Sequence, residues 1–460
     1  MKAREESEAP NSTANAAAAA TNLPAWRVAL VTALPFILLA VVLSVVAYSV
    51  LDPTPPRRVV LATGVEQGAY SEFGKRYAAA LARHGITVEL RNSQGAAENL
   101  ALLRNPQSGV DIAFVQGGAD IERRSEAERR AADVGLESLG SMFYEPVWLF
   151  YRAESAQALL NAPRLERLAQ LSGWRVNIGA PGSGVPNLAR RLLEANRIDS
   201  ATISLQQQPL TPAVVDLLEG RLDALILASA PESLMVQMLL QTPGVLLFDF
   251  AQSDAYTRRF GFLSAVTLPR GVVDLARDLP AADIRMVAPT ATLVARDSLH
   301  PALAQLFVQA AQQVHGEPGW FQRNGDFPNA RDVERDITPE AQRFYRSGVP
   351  LLQRYLPFWM ANLIDRMWVA LLSIVAVLIP LTRVVPPLVD MRIRSRVFRW
   401  YGKLRAIEGA AATRPAPELL AELDEIEARV AQVRVPLSYA DELYALKSHI
   451  QFVRRRLQTP

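Results

Sequence analysis

The chain contains no cysteine among its 460 residues, which excludes a disulfide frame, thiolate catalysis and cysteine-type zinc sites. Histidine is almost as scarce. His84, His300, His315 and His449 stand far apart, and none has a partner at H-x-x-x-H spacing, so no metal site is expected from them. An excess of one charge is also missing: 49 Lys and Arg stand against 46 Asp and Glu, for a formal net charge of +3. The basic residues concentrate between residues 383 and 405 and in Arg454-Arg455-Arg456, so no nucleic-acid partner is expected. Catalytic motifs are absent as well, with no G-x-S-x-G elbow and no H-E-x-x-H. Clustered carboxylates occur mainly in charged helical stretches such as 122–128 and 418–427, where solvated surface is their ordinary role. Neither enzymatic activity nor a cofactor is expected.

What is present is a duplicated pattern. Asn177-Ile-Gly-Ala-Pro-Gly-Ser-Gly-Val-Pro-Asn reads as a strand end, a glycine loop and the first turn of a helix. Gly179, Gly182 and Gly184 permit positive φ and close backbone approach, and Ser183 is a candidate cap for the helix that follows. Free amides at a helix start form an anion site; an ordinary N-cap turn explains the same residues. The glycine spacing is that of a P-loop, but Val185 stands where the phosphate lysine would be, so nucleotide hydrolysis is disfavoured.

Residues 58–116 and 175–229 share one order: apolar strand, glycine loop, amphipathic helix, strand, polar loop, Leu-Leu helix, then Gly and Asp before an uncharged strand. Two βαβαβ lobes follow from this, each with a glycine loop at a helix start, facing one cleft. In the first lobe Gly68 closes the first loop. Ser93, Gly95 and Asn99 are candidates to hold a polar ligand group; Ser93 as a helix cap with Asn99 in solvent is the competing reading. Gln116 falls at the carboxyl edge of a buried strand, where open α/β sheets bind ligands. The aromatic run 140–151 is expected to form a crossing strand, with Tyr144 and Trp148 as candidates to face the cleft or the core.

The two ends of the chain read differently. Residues 1–27 begin as a polar, alanine-rich tail, and 28–51 form an uncharged run long enough to cross a bilayer. Ala47-Tyr-Ser49 loosely resembles a signal-peptidase site, but the run is longer than a signal core, which favours an uncleaved anchor. The binding region is expected as lobe one over 57–152, lobe two over 153–250 and a return to lobe one over 251–357. A second apolar run at 363–382 precedes the basic block, which by the positive-inside rule stays cytoplasmic. Both termini are then cytoplasmic, with the lobes outside a bacterial inner membrane. Residues 383–460 are expected to carry a cytoplasmic helical hairpin whose last helix is capped by Ser438.

Taken in order, Gly68-Ala-Tyr-Ser, Asn92-Ser-Gln-Gly-Ala-Ala-Glu-Asn-Leu100, Asp111-Ile-Ala-Phe-Val-Gln116 and Ala180-Pro-Gly-Ser-Gly184 resemble the TAXI-type solute receptors of TRAP transporters. The resemblance covers about residues 57–356, and the trailing span and basic tail resemble the membrane-anchored branch of that family. It implies an α/β, two-lobed periplasmic binding protein type II fold, here flanked by two transmembrane helices and the C-terminal hairpin. It also implies closure on a small anionic solute, a carboxylate such as an amino acid or organic acid, and delivery to a TRAP-type permease subunit. By similarity Tyr70, Ser93, Asn99 and Gln116 serve lobe one, and Gly182, Ser183 and Gly184 serve lobe two. The chain departs from the family at Val185, where Thr is frequent, and places Glu66 near a site meant for an anion. A membrane-anchored sensor or scaffold, signalling through the second span to the cytoplasmic helices, is the alternative.

Overall fold

The computed structural model describes residues 25–52, 54–66, 68–119, 128, 131–411, 413–432 and 440–458. The expected polar tail, the charged segment at 122–130 (apart from residue 128) and the Ser438 cap lie outside the described residues. The described chain divides into two units: one runs Asp52–Asp365, and the other joins the first helix to everything from Arg366 onward. That first helix, α1, spans Ala25–Leu51.

The larger unit holds two α/β lobes. Lobe one opens with β1 (Arg58–Ala62), α2 (Ala69–Ala82), β2 (Thr87–Arg91), α3 (Ala96–Arg104) and β3 (Ile112–Gln116). Phe73, Tyr77, Ala80 and Leu81 recur at helical spacing on α2 and are buried, while Lys75 and Arg76 between them are exposed. β3 is buried along its whole length, as an uncharged strand between covered faces must be. β4 (Leu136–Tyr144) belongs to this lobe's sheet; after Glu145-Pro146 the chain continues as β5 (Val147–Arg152) in the second sheet.

Lobe two then builds α4 (Ala153–Leu160), β6 (Arg175–Asn177), α5 (Val185–Ala195), β7 (Ser204–Gln206), α6 (Leu210–Leu218), β8 (Ala224–Ala228), α7 (Leu234–Leu240), β9 (Val245–Leu247) and α8 (Ser253–Arg259). β10 (Leu263–Leu268) and the long β11 (Ile284–Arg296) bring the chain back to the first sheet. α9 (Pro301–His315) and α10 (Pro339–Ser347) follow, with Ala304, Phe307 and Ala341 in lobe one's core.

The two sheets repeat one topology. In lobe one β2-β1-β3 run parallel and β11 pairs antiparallel with β3; in lobe two β7-β6-β8 run parallel and β5 pairs antiparallel with β8. The repeat extends to side chains. Asp111 Oδ2 accepts the Val60 amide at 2.8 Å, and Asp223 Oδ2 accepts the Arg175 amide at 2.9 Å. Each aspartate thus pins the start of its lobe's third parallel strand to the first. Gly109 and Gly220, just before them, take φ of 70° and 77°, the left-handed turn that lets the chain leave a helix for a strand. Burial pushes the Asp223 carboxyl up, but Arg175, its amide and Ser155 outweigh that and hold it below its ordinary value.

Strand alternation splits the second lobe's core across the two faces of its sheet. Val147, Leu149 and Tyr151 of β5 join one cluster, and Trp148 and Phe150 join the other. Trp148 is therefore core: it is fully buried and its indole donates to the Ser229 carbonyl at 2.8 Å. The return segment expected wholly with lobe one is shared. Leu263 and Val287 pack in one second-lobe cluster and Val266, Leu268 and Met286 in the other; only from Thr290 does β11 pair with β4, and from Ala291 with β3. Hydrophobic pattern alone marks these strands as buried without saying in which lobe.

α11 runs Phe358–Ala410, from Arg366 onward in the second unit, and includes Phe358–Val384, long and apolar enough to cross a membrane by length and composition. Phe36–Leu51 of α1 forms a shorter apolar helical stretch. α12 (Ala416–Ala431) and α13 (Ala440–Gln458) pack on the end of α11, where Leu404 and Ile407 meet Leu419, Leu423, Ile426 and Val430 from α12 and Leu446, Ile450 and Val453 from α13. The buried positions recur every three or four residues on each helix, so the two charged helices join a third rather than pairing alone.

Candidate functional site

Two segments cross between the lobes, β4 into β5 and β11, and they are tied where they cross: the Glu145 amide donates to the Pro289 carbonyl at 2.9 Å. Beside this crossing lies a cavity of about 380 Å³ lined from both lobes. Lobe one contributes Glu66 and Gly68 of the loop after β1, Tyr70 of α2, Gly95, and Gln116 at the end of β3. Lobe two contributes Asn177, Ala180 and Ser183, the start of α6, and the end of β8 with Ser233 and Met235. The cavity thus sits at the carboxyl ends of both parallel sheets, where strands end and helices begin.

Five of the nine site residues expected from the sequence line this cavity: Gly68, Tyr70, Gly95, Gln116 and Ser183. Tyr70 is buried, stacks on Phe114 with centroids 5.1 Å apart, and donates its hydroxyl to Glu145 Oε2 at 2.8 Å. Burial, then the Glu145 charge, push its phenol well above its ordinary value, so it stays a neutral donor. Gln116 is 3% exposed, and its Nε2 has no hydrogen-bond partner. A buried amide donor without a partner costs about 1–3 kcal/mol, so this one is placed to meet an acceptor brought into the cleft.

Ser93 and Asn99 do not line the cavity. Asn99 is fully buried, and its Nδ2 donates to the Thr63 and Phe114 carbonyls, joining the ends of β1 and β3. Ser93 Oγ lies 2.7 Å from Asn99 Oδ1, 3.1 Å from the Thr63 carbonyl, and accepts the Gly95 amide. Their polar capacity is used inside lobe one, which corrects both the ligand role and the solvent-facing alternative. Ser183 caps no helix either: α5 starts at Gly184 with no side-chain cap, and Ser183 Oγ donates to the Ala180 carbonyl at 2.7 Å.

Gly182 and Gly184 also have a different task from the one expected. The Gly182 carbonyl accepts the amides of Ala97 and Glu98 at 3.1 and 3.0 Å. A carbonyl from lobe two therefore occupies the start of α3 in lobe one, beside the loop expected to hold a polar ligand group. A Cβ on Gly95, whose φ is +135°, would lie 3.0 Å from Ser183 Cα; one on Gly184 would lie 2.9 Å from Gln116 Oε1. The glycines let two backbones touch across the cleft, and the contact closes the lobes on one side. Asn187 extends it, donating to the Ala119 carbonyl at 3.2 Å.

Sequence reasoning missed Glu145. It is 4% exposed, lines the cavity, and sits between the two crossing strands. Burial pushes its carboxyl up to about 8, with the Tyr70 hydroxyl partly offsetting that rise. The signal was present: Glu145 is the one charged residue in the aromatic run 140–151. A charge inside a β-prone apolar run is costly to bury, which is the reason to suspect a role for it.

Two lobes of the 2-1-3 parallel order, joined by crossing strands around a lined cleft, define a ligand-binding protein of the two-lobed class. The chain belongs to the NMT1-like family, whose sequence profile matches residues 61–312, and its fold is periplasmic-binding-protein-like, type II. Comparison with curated protein sequences gave no match. Among solved structures it is similar to the alkanesulfonate-binding protein SsuA of Xanthomonas axonopodis pv. citri bound to MOPS, at 14% identity and a TM-score of 0.34, covering 58% of this chain and 81% of that one. The aliphatic sulphonate binding protein SsuA of Escherichia coli aligns at 14% identity and a TM-score of 0.34, over 71% of this chain and 83% of its own. The BenM effector binding domain with benzoate aligns at 8% identity and a TM-score of 0.37, over 58% and 96%.

Proposed function

We propose that this protein is a membrane-anchored receptor that closes two lobes on a small solute outside the bacterial inner membrane and passes it to a TRAP-type permease. The observation that carries this reading is the cavity itself, lined from both lobes beside the tied crossing strands, with the unpartnered Gln116 amide facing it. Closure around a ligand that contacts both lobes stabilises the closed state by its differential affinity for it. The acceptor group at Gln116 is a carboxylate in this reading, that of an amino acid or organic acid. The protein binds and does not catalyse.

The membrane part of the proposal rests on composition. Leu372, Val375, Val377 and Ile379 of α11 and Leu38, Val45 and Val50 of α1 are exposed apolar side chains, suited to lipid. The basic block after residue 382 orients α11 with its C-terminal end cytoplasmic. The TAXI assignment rests on the ordered motifs at Gly68, Asn92 and Ala180.

A sensor is the second reading, favoured by the length of α11. Phe358 packs against lobe one's core, and Leu404 and Ile407 of the same helix form the base of the three-helix cluster. Uptake of labelled amino acids and organic acids in cells lacking the protein separates the two. Reduced uptake supports the receptor; unchanged uptake, together with a partner captured through residues 383–460, supports the sensor.

A further inference from the structure

Two observations disagree with a bare anion as the ligand. First, the charged side chains lining the cleft are Glu66 and Glu145; among its described residues there is no Lys, Arg or His. Second, the amides of Ala97 and Glu98 at the start of α3, donors that could serve an anion beside the cleft, are taken by the Gly182 carbonyl. A dicarboxylate without a counter-cation would lie beside a buried carboxyl and an exposed one. Like charges repel in a low-dielectric site, so this disfavours the dicarboxylate at Glu66 throughout and at Glu145 once that group ionises, near pH 8.

We propose that the cleft selects a solute carrying a protonated amine, with its N–H groups on Glu145, an acceptor group on Gln116 Nε2 and an apolar body along Leu225, Leu227 and Met235. The inference rests on the receptor reading and names the class of solute for that same site. Gln116 supplies evidence independent of the acidic groups: a buried donor without a partner needs an acceptor from the ligand. Glu145 supplies the complement. Tyr70 already donates to its Oε2, which leaves the carboxylate in need of a positive donor. Glu66, exposed at the rim, adds a second attraction for a cation. The titratable groups facing the cavity are these two carboxyls and Tyr70.

A pH signature follows. Burial pushes Glu145 up to about 8, so it is about half ionised at pH 8 and about one part in a hundred at pH 6. An ammonium ligand binds the ionised form and drives a proton off, so its affinity falls roughly fifty-fold from pH 8 to pH 6. A bare anion shows the opposite slope.

The test is isothermal titration of the full chain in detergent micelles with n-butylamine, leucine and succinate at pH 6, 7 and 8. The expected result is binding of leucine and n-butylamine that weakens toward pH 6, with no binding of succinate. Glu145→Gln should weaken leucine by at least tenfold and flatten the pH slope. Glu66→Gln, at an exposed position that bears no fold, should weaken it about threefold, so the proposal stays testable if the buried variant does not fold. Succinate binding at least as tightly as leucine, or affinity that rises toward pH 6, overturns the amine inference and leaves the receptor standing. Absence of binding by all three probes at millimolar concentration overturns both.

Discussion

Replacing Glu145 by Gln should stabilise the unliganded protein, and by an amount that grows with pH. Glu145 is buried beside the cavity, and burial raises its carboxyl from the ordinary 4.5 to about 8. For a group raised on folding, the stability contributed by the protonated form is complete below the unfolded value and is lost as pH climbs through the folded one. Each unit is worth about 1.4 kcal/mol. Wild type therefore gives up about 3 kcal/mol between pH 4.5 and 7, and about 5 kcal/mol by pH 9. Glutamine has the same shape, carries no charge, and its Oε1 can accept the Tyr70 hydroxyl that now lies 2.8 Å from the carboxylate. The two proteins should be equally stable near pH 4 and diverge by about those amounts above it. Urea unfolding of the full chain in micelles, followed through the buried Trp148 and Trp174, measures the difference at each pH. A stability difference independent of pH between 4 and 9 would refute the assignment of a buried, uncompensated carboxyl. A residue that costs stability and is nonetheless placed in a cleft is the expected pattern for a binding group.

Three further outcomes follow from the same structure. His315 is buried among Phe73, Tyr77 and Phe143, and burial, with a smaller effect from Arg76, pushes its imidazole down to about 3. Its neutral form stabilises the fold above pH 6.5 and loses that contribution as pH falls toward 3, about 5 kcal/mol in all. His315→Phe should therefore lose less stability on acidification than wild type, as read by urea midpoints at pH 6.5 and 4. Gly95→Val puts a branched side chain at φ +135° against the Ser183 backbone and should hold the lobes apart. Because the chain has no cysteine, Lys75→Cys with Glu166→Cys gives one clean label on each lobe, and energy transfer between them should drop in the glycine variant. Asn99→Leu leaves the Thr63 and Phe114 carbonyls without their donor and should cost about 2–4 kcal/mol, with ligand affinity of the folded protein unchanged. A change in affinity there without a change in stability would return Asn99 to the site.

The sequence alone carried the repeat. Apolar runs of strand length, glycines after helices and an aspartate two or three residues later are local signals. The paired β1–β3 and β6–β8 strands, each pinned by its aspartate, are their direct consequence. The cleft edge was legible at Gln116 and Gly68 because the carboxyl end of a parallel strand is known from strand direction alone. What each polar group does there was decided elsewhere. Ser93, Gly95 and Asn99 make a plausible ligand loop in one dimension, yet Asn99 turns inward because β1 and β3 end beside it with carbonyls to satisfy. Gly182 and Gly184 signal close backbone approach equally well whether the approaching group is a solute or a second lobe. Only the packing of lobe two on α3 shows that it is the latter. Glu145 stands out in the sequence as the one charge in an aromatic run, but only the meeting of the β4–β5 crossing with the distant β11 shows that it is enclosed beside the cleft. Periodicity and turn chemistry act within a few residues, so sequence can express them. Burial, pairing and the loss of water around a charge depend on segments far apart in the chain, and only the folded arrangement brings those together.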